Sequence, residues 1–199
     1  MIAGHNGAGK STYYRKYLKD SFGAHIKEHI DPDAIERDIR AKWIGFPQCD
    51  KEFSLHAQAE AEKLRKMYLD NEIAFSLETV FSDPVGDKLS FMAEAIRRGY
   101  FVVLLAVGLD SPEKSKARVA LRVSRNGHNV PPKKIVERYP RVLANISKGV
   151  QVASLALVVD NSEDSSEDDG DGYFAIALFA GGKLLKSVTD APSWWRIPD

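Results

Sequence analysis

Gly4-His5-Asn6-Gly7-Ala8-Gly9-Lys10-Ser11, continued by Thr12, fits G-x-x-x-x-G-K-[ST] at every fixed position. Gly7 and Gly9 let the backbone turn tightly and come close to a phosphate with no Cβ in the way. The loop's N–H groups, with the positive end of the helix that follows, make a cradle for a polyphosphate. In such a loop Lys10 reaches the β- and γ-phosphates and the Ser11 hydroxyl ligates Mg²⁺. A chance glycine-rich turn is the competing reading. It is weakened by the short apolar strand before the loop and the helix after it.

Outward from this loop, strand-like and helix-like stretches alternate. Strands are expected at residues 1–3, 25–30, 73–77, 101–107 and 155–159, and helices at 10–20, 34–42, 55–71, 87–98, 112–125 and 133–148. FVVLLAV and LALVV are almost continuously apolar, as strands covered on both faces should be. The pattern is that of an α/β domain with a mainly parallel sheet. Residues 161–172 are acidic and read as a solvated loop. Two apolar runs around Gly181-Gly182 then read as a β-hairpin appended to the main sheet. The expected organisation is a kinase-type core over 1–160 with a helical lid at 111–141, the acidic loop at 161–172, and the hairpin and tail at 173–199. Only three residues precede the loop, fewer than its strand normally has. That reads as a start lying further upstream or a shortened chain.

Composition narrows the classes. Acidic and basic residues balance at 28 each, so no global charge draws the chain to nucleic acid or to an anionic membrane. Cys49 stands alone and has no disulfide partner within the chain, in keeping with a reducing, cytoplasmic setting. No apolar run is long enough to cross a membrane, and no signal peptide is evident. An N-K-x-D guanine reader and an L-S-G-G-Q-like run are both missing, which argues against a GTPase and a transporter ATPase. A small-molecule kinase is the economical remainder. It needs a base, cations around the moving phosphoryl group and a cover against water.

Asp31-Pro32-Asp33 closes a strand and opens a helix, where active-site loops of parallel sheets begin. Asp33 is a candidate base, and equally a helix cap. Glu78-Thr79 ends the next strand and could face the acceptor, or be solvated. Asp160 ends ALVVD, as a metal-contact aspartate or a turn near the adenine. Arg118, Arg122 and Arg125 share one helix face by their spacing, and Arg138 and Arg141 follow. Such a basic flap suits phosphoryl transfer, although a solvated helix face gives the same pattern. His25-Ile26-Lys27-Glu28-His29 matches H-x-x-E-H, but in a strand rather than the long helix a zinc site of that kind needs. Residues 163–171 break the EF-hand pattern, and Trp194-Trp195 reads as a terminal hydrophobic anchor.

Taken together, HNGAGKST after Gly4, Asp31-Pro32-Asp33, Leu77-Glu78-Thr79-Val80-Phe81-Ser82, Gly99-Tyr100, Val107-Gly108-Leu109, Arg118-Val119 with Arg122-Val123, Gly127-His128-Asn129-Val130-Pro131 and Arg138-Tyr139-Pro140 resemble the zeta-toxin family. The resemblance runs in order over about residues 1–161 and is closest to the short branch labelled predicted ATPases. It implies a P-loop NTPase fold of the nucleotide-kinase kind, three-layer α/β/α with a helical lid. It also implies ATP and Mg²⁺ as cofactors, a UDP-amino sugar such as UDP-N-acetylglucosamine as hydroxyl acceptor, and a protein antitoxin as partner. By position it makes Gly4, His5, Asn6, Gly7, Ala8, Gly9, Lys10, Ser11 and Thr12 the ATP–Mg²⁺ residues and Asp33 the general base. Glu78 and Thr79 become the acceptor-side pair, and Arg122 one lid arginine, with Arg118, Arg125 and Arg138 as candidates for the second. The chain is shorter than the well-known toxins and carries the extra hairpin, so the sugar-nucleotide pocket is expected to be reduced. The reading from another class is a nucleotide-dependent binding protein with little turnover. A nucleic-acid-end kinase is a third reading, disfavoured by the neutral net charge.

Overall fold

A computed structural model describes residues 1–22, 25–43, 50–125, 127–163 and 172–198. Cys49 and most of the acidic segment lie outside the described residues. The chain divides into two compact units, one formed by Met1–Thr12 with Val80–Asp199 and the other by Tyr13–Thr79.

In the first unit, β1 (Ile2–Gly4) pairs in parallel with β4 (Val103–Gly108), and β4 with β5 (Leu155–Asp160). β6 (Phe174–Ala180) and β7 (Lys183–Ser187) then continue this sheet antiparallel. The hairpin between them turns on Gly181 and Gly182, at φ of 53° and 77°. Two successive left-handed residues give the primed turn whose twist matches its strands, and glycine adopts it without a Cβ penalty. β6 lies against β5 and β7 against β6.

Among its described residues this unit holds α5 (Asp87–Arg97), α6 (Pro112–Ser124) and α7 (Pro132–Val152). Ser111 caps α6 by accepting from the Lys114 N–H, and Pro132 starts α7 where a missing N–H costs nothing. Pro140 lies inside α7 at an exposed position. The α7 residues Val142, Ile146 and Val150 join Ala3, Leu104, Ala106, Val158, Ile176 and Phe179 in one core. Trp194 and Trp195 belong to the same core, at 8% and 6% exposure. Burying two indoles contributes several kcal/mol, on the order of 1.5–3 each, so the tail is anchored as its sequence suggested.

The second unit holds β2 (Glu28–Ile30) and β3 (Phe75–Thr79), paired in parallel, with α3 (Pro32–Lys42) and α4 (Asp50–Asp70). β2 is shorter than the stretch 25–30 expected. Its first residue, Glu28, stands opposite Phe75, the first of β3, so residues 25–27 have no pairing partner in that strand. β3 starts two residues later than expected because the end of α4 still claims Ile73, whose N–H donates to the Tyr68 carbonyl. Glu36, at 3% exposure, is held by Arg40 at 2.7 Å, and Arg40 lies 4.7 Å over the Phe53 ring. The helix opening the second unit continues α1 (Lys10–Tyr13) through a wider π-type turn, Tyr14–Leu18, into α2 (Lys19–Phe22).

Candidate phosphate-binding site

The loop Gly4–Ser11 follows β1 and opens α1, the strand–loop–helix context its motif requires. Gly7 and Gly9 have φ of 73° and 85°, left-handed values that only glycine adopts readily. A Cβ on Gly9 would lie 2.3 Å from the Tyr173 hydroxyl, and one on Gly7 would lie 3.1 Å from Arg118 Cβ and 3.2 Å from the Ser115 carbonyl oxygen.

The loop's carbonyl groups are held from several directions. Lys10 Nζ donates to the carbonyls of Gly4 and His5, at 3.1 and 3.0 Å. The Ser115 hydroxyl, on α6, donates to the Asn6 carbonyl at 2.5 Å. The Asn161 side-chain amide, just past β5, donates to Ala8 O at 2.9 Å, and the Tyr173 hydroxyl, just before β6, donates to Gly9 O at 2.8 Å. A carbonyl already bonded to a donor repels an anion less than a bare one does. The loop is thus both fixed in shape and electrostatically prepared for phosphate. A glycine-rich loop held in this way at a helix N-terminus suits an anion such as a phosphate.

His5, 2% exposed, stacks on Tyr139 of α7 with ring centroids 4.4 Å apart. Burial, and then the Lys10 charge, push its pKa down to about 3, so the imidazole is neutral. Burial, reinforced by Asp110, Asp160 and Glu113, raises Tyr139 to about 12, and its phenol donates to the Leu109 carbonyl at 2.9 Å. His5 and Tyr139 thus form a neutral aromatic wall beside the loop.

The arginines divide. Arg118 sits against the loop, and its guanidinium donates to the carbonyls of Asn161 and Glu163 at 2.6 and 3.0 Å. Arg122 donates through Nε to His128 O at 3.1 Å, bracing the connection from α6 to α7. Arg125 ends α6 and is exposed, and Arg138 is half-buried on α7. Asp160 accepts from the Trp194 indole at 2.6 Å and from the Ser162 hydroxyl at 2.5 Å, a structural use that ties the tail to β5.

In the second unit, Asp31 is the N-cap of α3, its side chain accepting from the Asp33 N–H at 3.0 Å. Capping therefore falls to Asp31, and Asp33 lies in the first helical turn with its side chain exposed to solvent. Burial, then the charges of Glu78 and Asp33, raise the Asp31 pKa. Glu78 is buried at 5% exposure on β3, and Thr79 ends that strand half-buried. The His29 ring stands beside both Glu78 and Ser76. No cluster of three or more metal-ligating side chains exists among the described residues, and no helix among them is long and apolar enough to cross a membrane.

Ser115, Asn161, Tyr173 and His29 escaped the sequence reading as site residues. Tyr173 carries no local signal, because its bond to Gly9 spans 164 positions. Asn161 had one, as a polar residue directly after an apolar strand.

Residues 1–167 match the model of the family described as Zeta toxin. No curated protein matches this chain. Among the solved structures that share the fold are two. One is from a study of the PezAT chromosomal toxin–antitoxin system of Streptococcus pneumoniae, with a TM-score of 0.58 and 17% identity, covering 80% of this chain. The chain spans 65% of the length of that protein. The other is a candidate kinase from Chloroflexus aurantiacus, with a TM-score of 0.57, 14% identity and coverage of 86% of this chain and 90% of that one. The expected α/β fold of the P-loop kinase kind is the fold found.

Proposed function

The chain belongs to the Zeta toxin family, and from that premise we propose that it is an ATP-dependent kinase whose acceptor is a hydroxyl of a UDP-activated amino sugar such as UDP-N-acetylglucosamine. The observation that carries the kinase reading is the phosphate loop with its carbonyls tied to Lys10, Ser115, Asn161 and Tyr173.

The acceptor oxygen forms a bond to the γ-phosphorus of ATP as the bond from that phosphorus to the β-bridging oxygen breaks, and ADP leaves. Asp33 takes the acceptor's proton, work typically worth ~10²–10⁴-fold in rate. Glu78 and Thr79 hold the acceptor. The Lys10 ammonium balances charge on the phosphates, with Arg122 and Arg118 as the lid cations and Arg125 and Arg138 as further nucleotide contacts. The residues Gly4 to Thr12 bind the phosphates. Mg²⁺ on the Ser11 hydroxyl would supply charge neutralisation to the phosphates. An antitoxin protein as partner, a cytoplasmic setting, and the division into a core with its lid, an acidic loop and an appended hairpin belong to the same proposal.

A second reading has one observation in its favour. Arg118 is engaged by backbone carbonyls after β5, so bound nucleotide could redirect it and change a partner surface without turnover. Incubation with MgATP and UDP-N-acetylglucosamine, followed by mass spectrometry, separates the two. Phosphorylated sugar nucleotide supports the kinase. Nucleotide binding without acceptor-stimulated ADP supports the switch.

A further inference from the structure

The tail anchored by Trp194 and Trp195 also shapes a cavity in the first unit. Its volume is about 420 Å³, within the roughly 300–1,000 Å³ of small-molecule sites. Tyr139, Leu143 and Ser147 of α7 line it together with Trp194 to Arg196 of the tail, and Asp110, two residues past β4, completes the lining. None of the phosphate-loop residues 4–11 takes part. The tail residues lie beyond residue 167, where the match to the family model ends. The cavity is therefore a feature of this chain that the family's shared core does not supply.

The lining has a definite chemistry. Trp194 spends its indole N–H on Asp160 at 2.6 Å, and Tyr139 spends its O–H on the Leu109 carbonyl at 2.9 Å. Each thus has ring surface to give and no N–H or O–H. Trp194 and Trp195 are both buried and pack at 66° with centroids 6.0 Å apart, and Trp195 packs edge-on to Phe179. These walls are set before anything binds, so little side-chain entropy is lost on binding. The carboxylate of the lining, Asp110, is already engaged by the Ser111 hydroxyl at 2.9 Å and the Lys114 ammonium at 3.0 Å. What remains is a set of donors. Among the described residues, no hydrogen bond or ion pair engages the exposed Arg196 guanidinium or the hydroxyls of Ser147 and Ser193.

We propose that this cavity binds a small aromatic carboxylate, its ring against Tyr139, Trp194 and Trp195 and its carboxylate on Arg196. Planar rings pack favourably on aromatic side chains, and the guanidinium fork matches a carboxylate in two parallel hydrogen bonds. An aromatic cation finds the one carboxylate of the lining already held by Lys114. A neutral ring leaves the guanidinium and both hydroxyls unused. The site goes beyond the kinase reading and stands whether or not the chain transfers phosphoryl groups.

The probe is 1-naphthoate, compared with 1-naphthalenemethanol and 1-naphthylmethylammonium, its neutral and cationic counterparts. Calorimetry on the full chain should show naphthoate binding at least about tenfold more tightly than either. In ¹⁵N spectra it should shift the indole N–H signals of Trp194 and Trp195 and leave that of Trp43, which does not line the cavity. Arg196→Gln changes an exposed residue, so it should melt with wild type, weaken naphthoate by about tenfold or more and leave the alcohol's affinity alone. Ala144→Trp, at an exposed α7 position in the lining, should weaken the naphthoate by filling the space. Lys10→Ala should bind naphthoate as wild type does. No binding, equal binding of the three probes, or unchanged affinity in Arg196→Gln or Ala144→Trp overturns the proposal. So does loss of binding in Lys10→Ala, which would place the anion in the phosphate loop instead.

Discussion

Replacing Ser115 with alanine removes one hydroxyl and leaves the volume of α6 almost unchanged. That hydroxyl is 2.5 Å from the Asn6 carbonyl, and Ser115 is 1% exposed. Asn6 is itself 9% exposed, so water has little access to replace the bond. An ordinary hydrogen bond contributes about 0.5–1.5 kcal/mol, whereas a buried acceptor left without its donor costs about 1–3 kcal/mol. The burial here selects the second range, and about 2 kcal/mol is expected. For a chain of this size that lowers Tm by roughly 4–8 °C. The freed carbonyl also returns a bare negative end to the phosphate loop, so MgATP affinity should fall together with stability. Thermal unfolding and calorimetric titration with MgATP measure both. Tyr173→Phe removes the corresponding bond to Gly9 at a half-buried position and should show the same two effects at about 1 kcal/mol. If Ser115→Ala melts with wild type and binds MgATP equally well, the side-chain bonds to the loop carbonyls do not prepare it, and the reasoning fails.

Other perturbations read different parts of the account. Lys10→Ala should abolish MgATP binding by calorimetry, while Asp33→Asn should keep it and lower turnover by ~10²–10⁴-fold; turnover equal to wild type in Asp33→Asn would remove it as the base. Asp31 has a carboxyl whose folded pKa lies above its ordinary value. The folded state therefore holds the proton more tightly, and the stability this gives at low pH is lost as pH rises through the folded value. Asp31→Asn keeps a capping side chain and should unfold at higher denaturant than wild type at neutral pH, with the gap closing once pH drops below the ordinary aspartate range. Gly108→Ala would place a methyl 2.1 Å from the Trp194 ring. It should release the tail, visible as a red shift and loss of intensity in tryptophan fluorescence, with destabilisation of at least ~1–3 kcal/mol by overpacking.

Much of the first unit was legible because its signals are local. The phosphate motif names its own strand, turn and helix, and FVVLLAV and LALVV read as covered strands without help from elsewhere. Gly181-Gly182 gave the hairpin for the same reason, since left-handed backbone demands residues of that kind. What stayed illegible is long-range. The donors that hold the loop carbonyls, Ser115, Asn161 and Tyr173, lie 109, 153 and 164 positions from their acceptors. Nothing in a serine or a tyrosine announces such a partner. His29 was hidden differently. Its spacing to His25 suggested a metal, but the strand pairs it with Ser76 and Glu78, and only the register shows that. The capping role moved from Asp33 to Asp31 because two aspartates flank Pro32 and the sequence alone does not say which bends back to the helix.

The most direct test of the central claim is transfer of a labelled γ-phosphoryl group from MgATP to UDP-N-acetylglucosamine by the purified chain, with Lys10→Ala as control. Label is expected in the sugar nucleotide, with ADP formed in equal amount and neither product in the control. ATP bound by the wild type, with no label reaching this or any other hydroxyl acceptor, would contradict it.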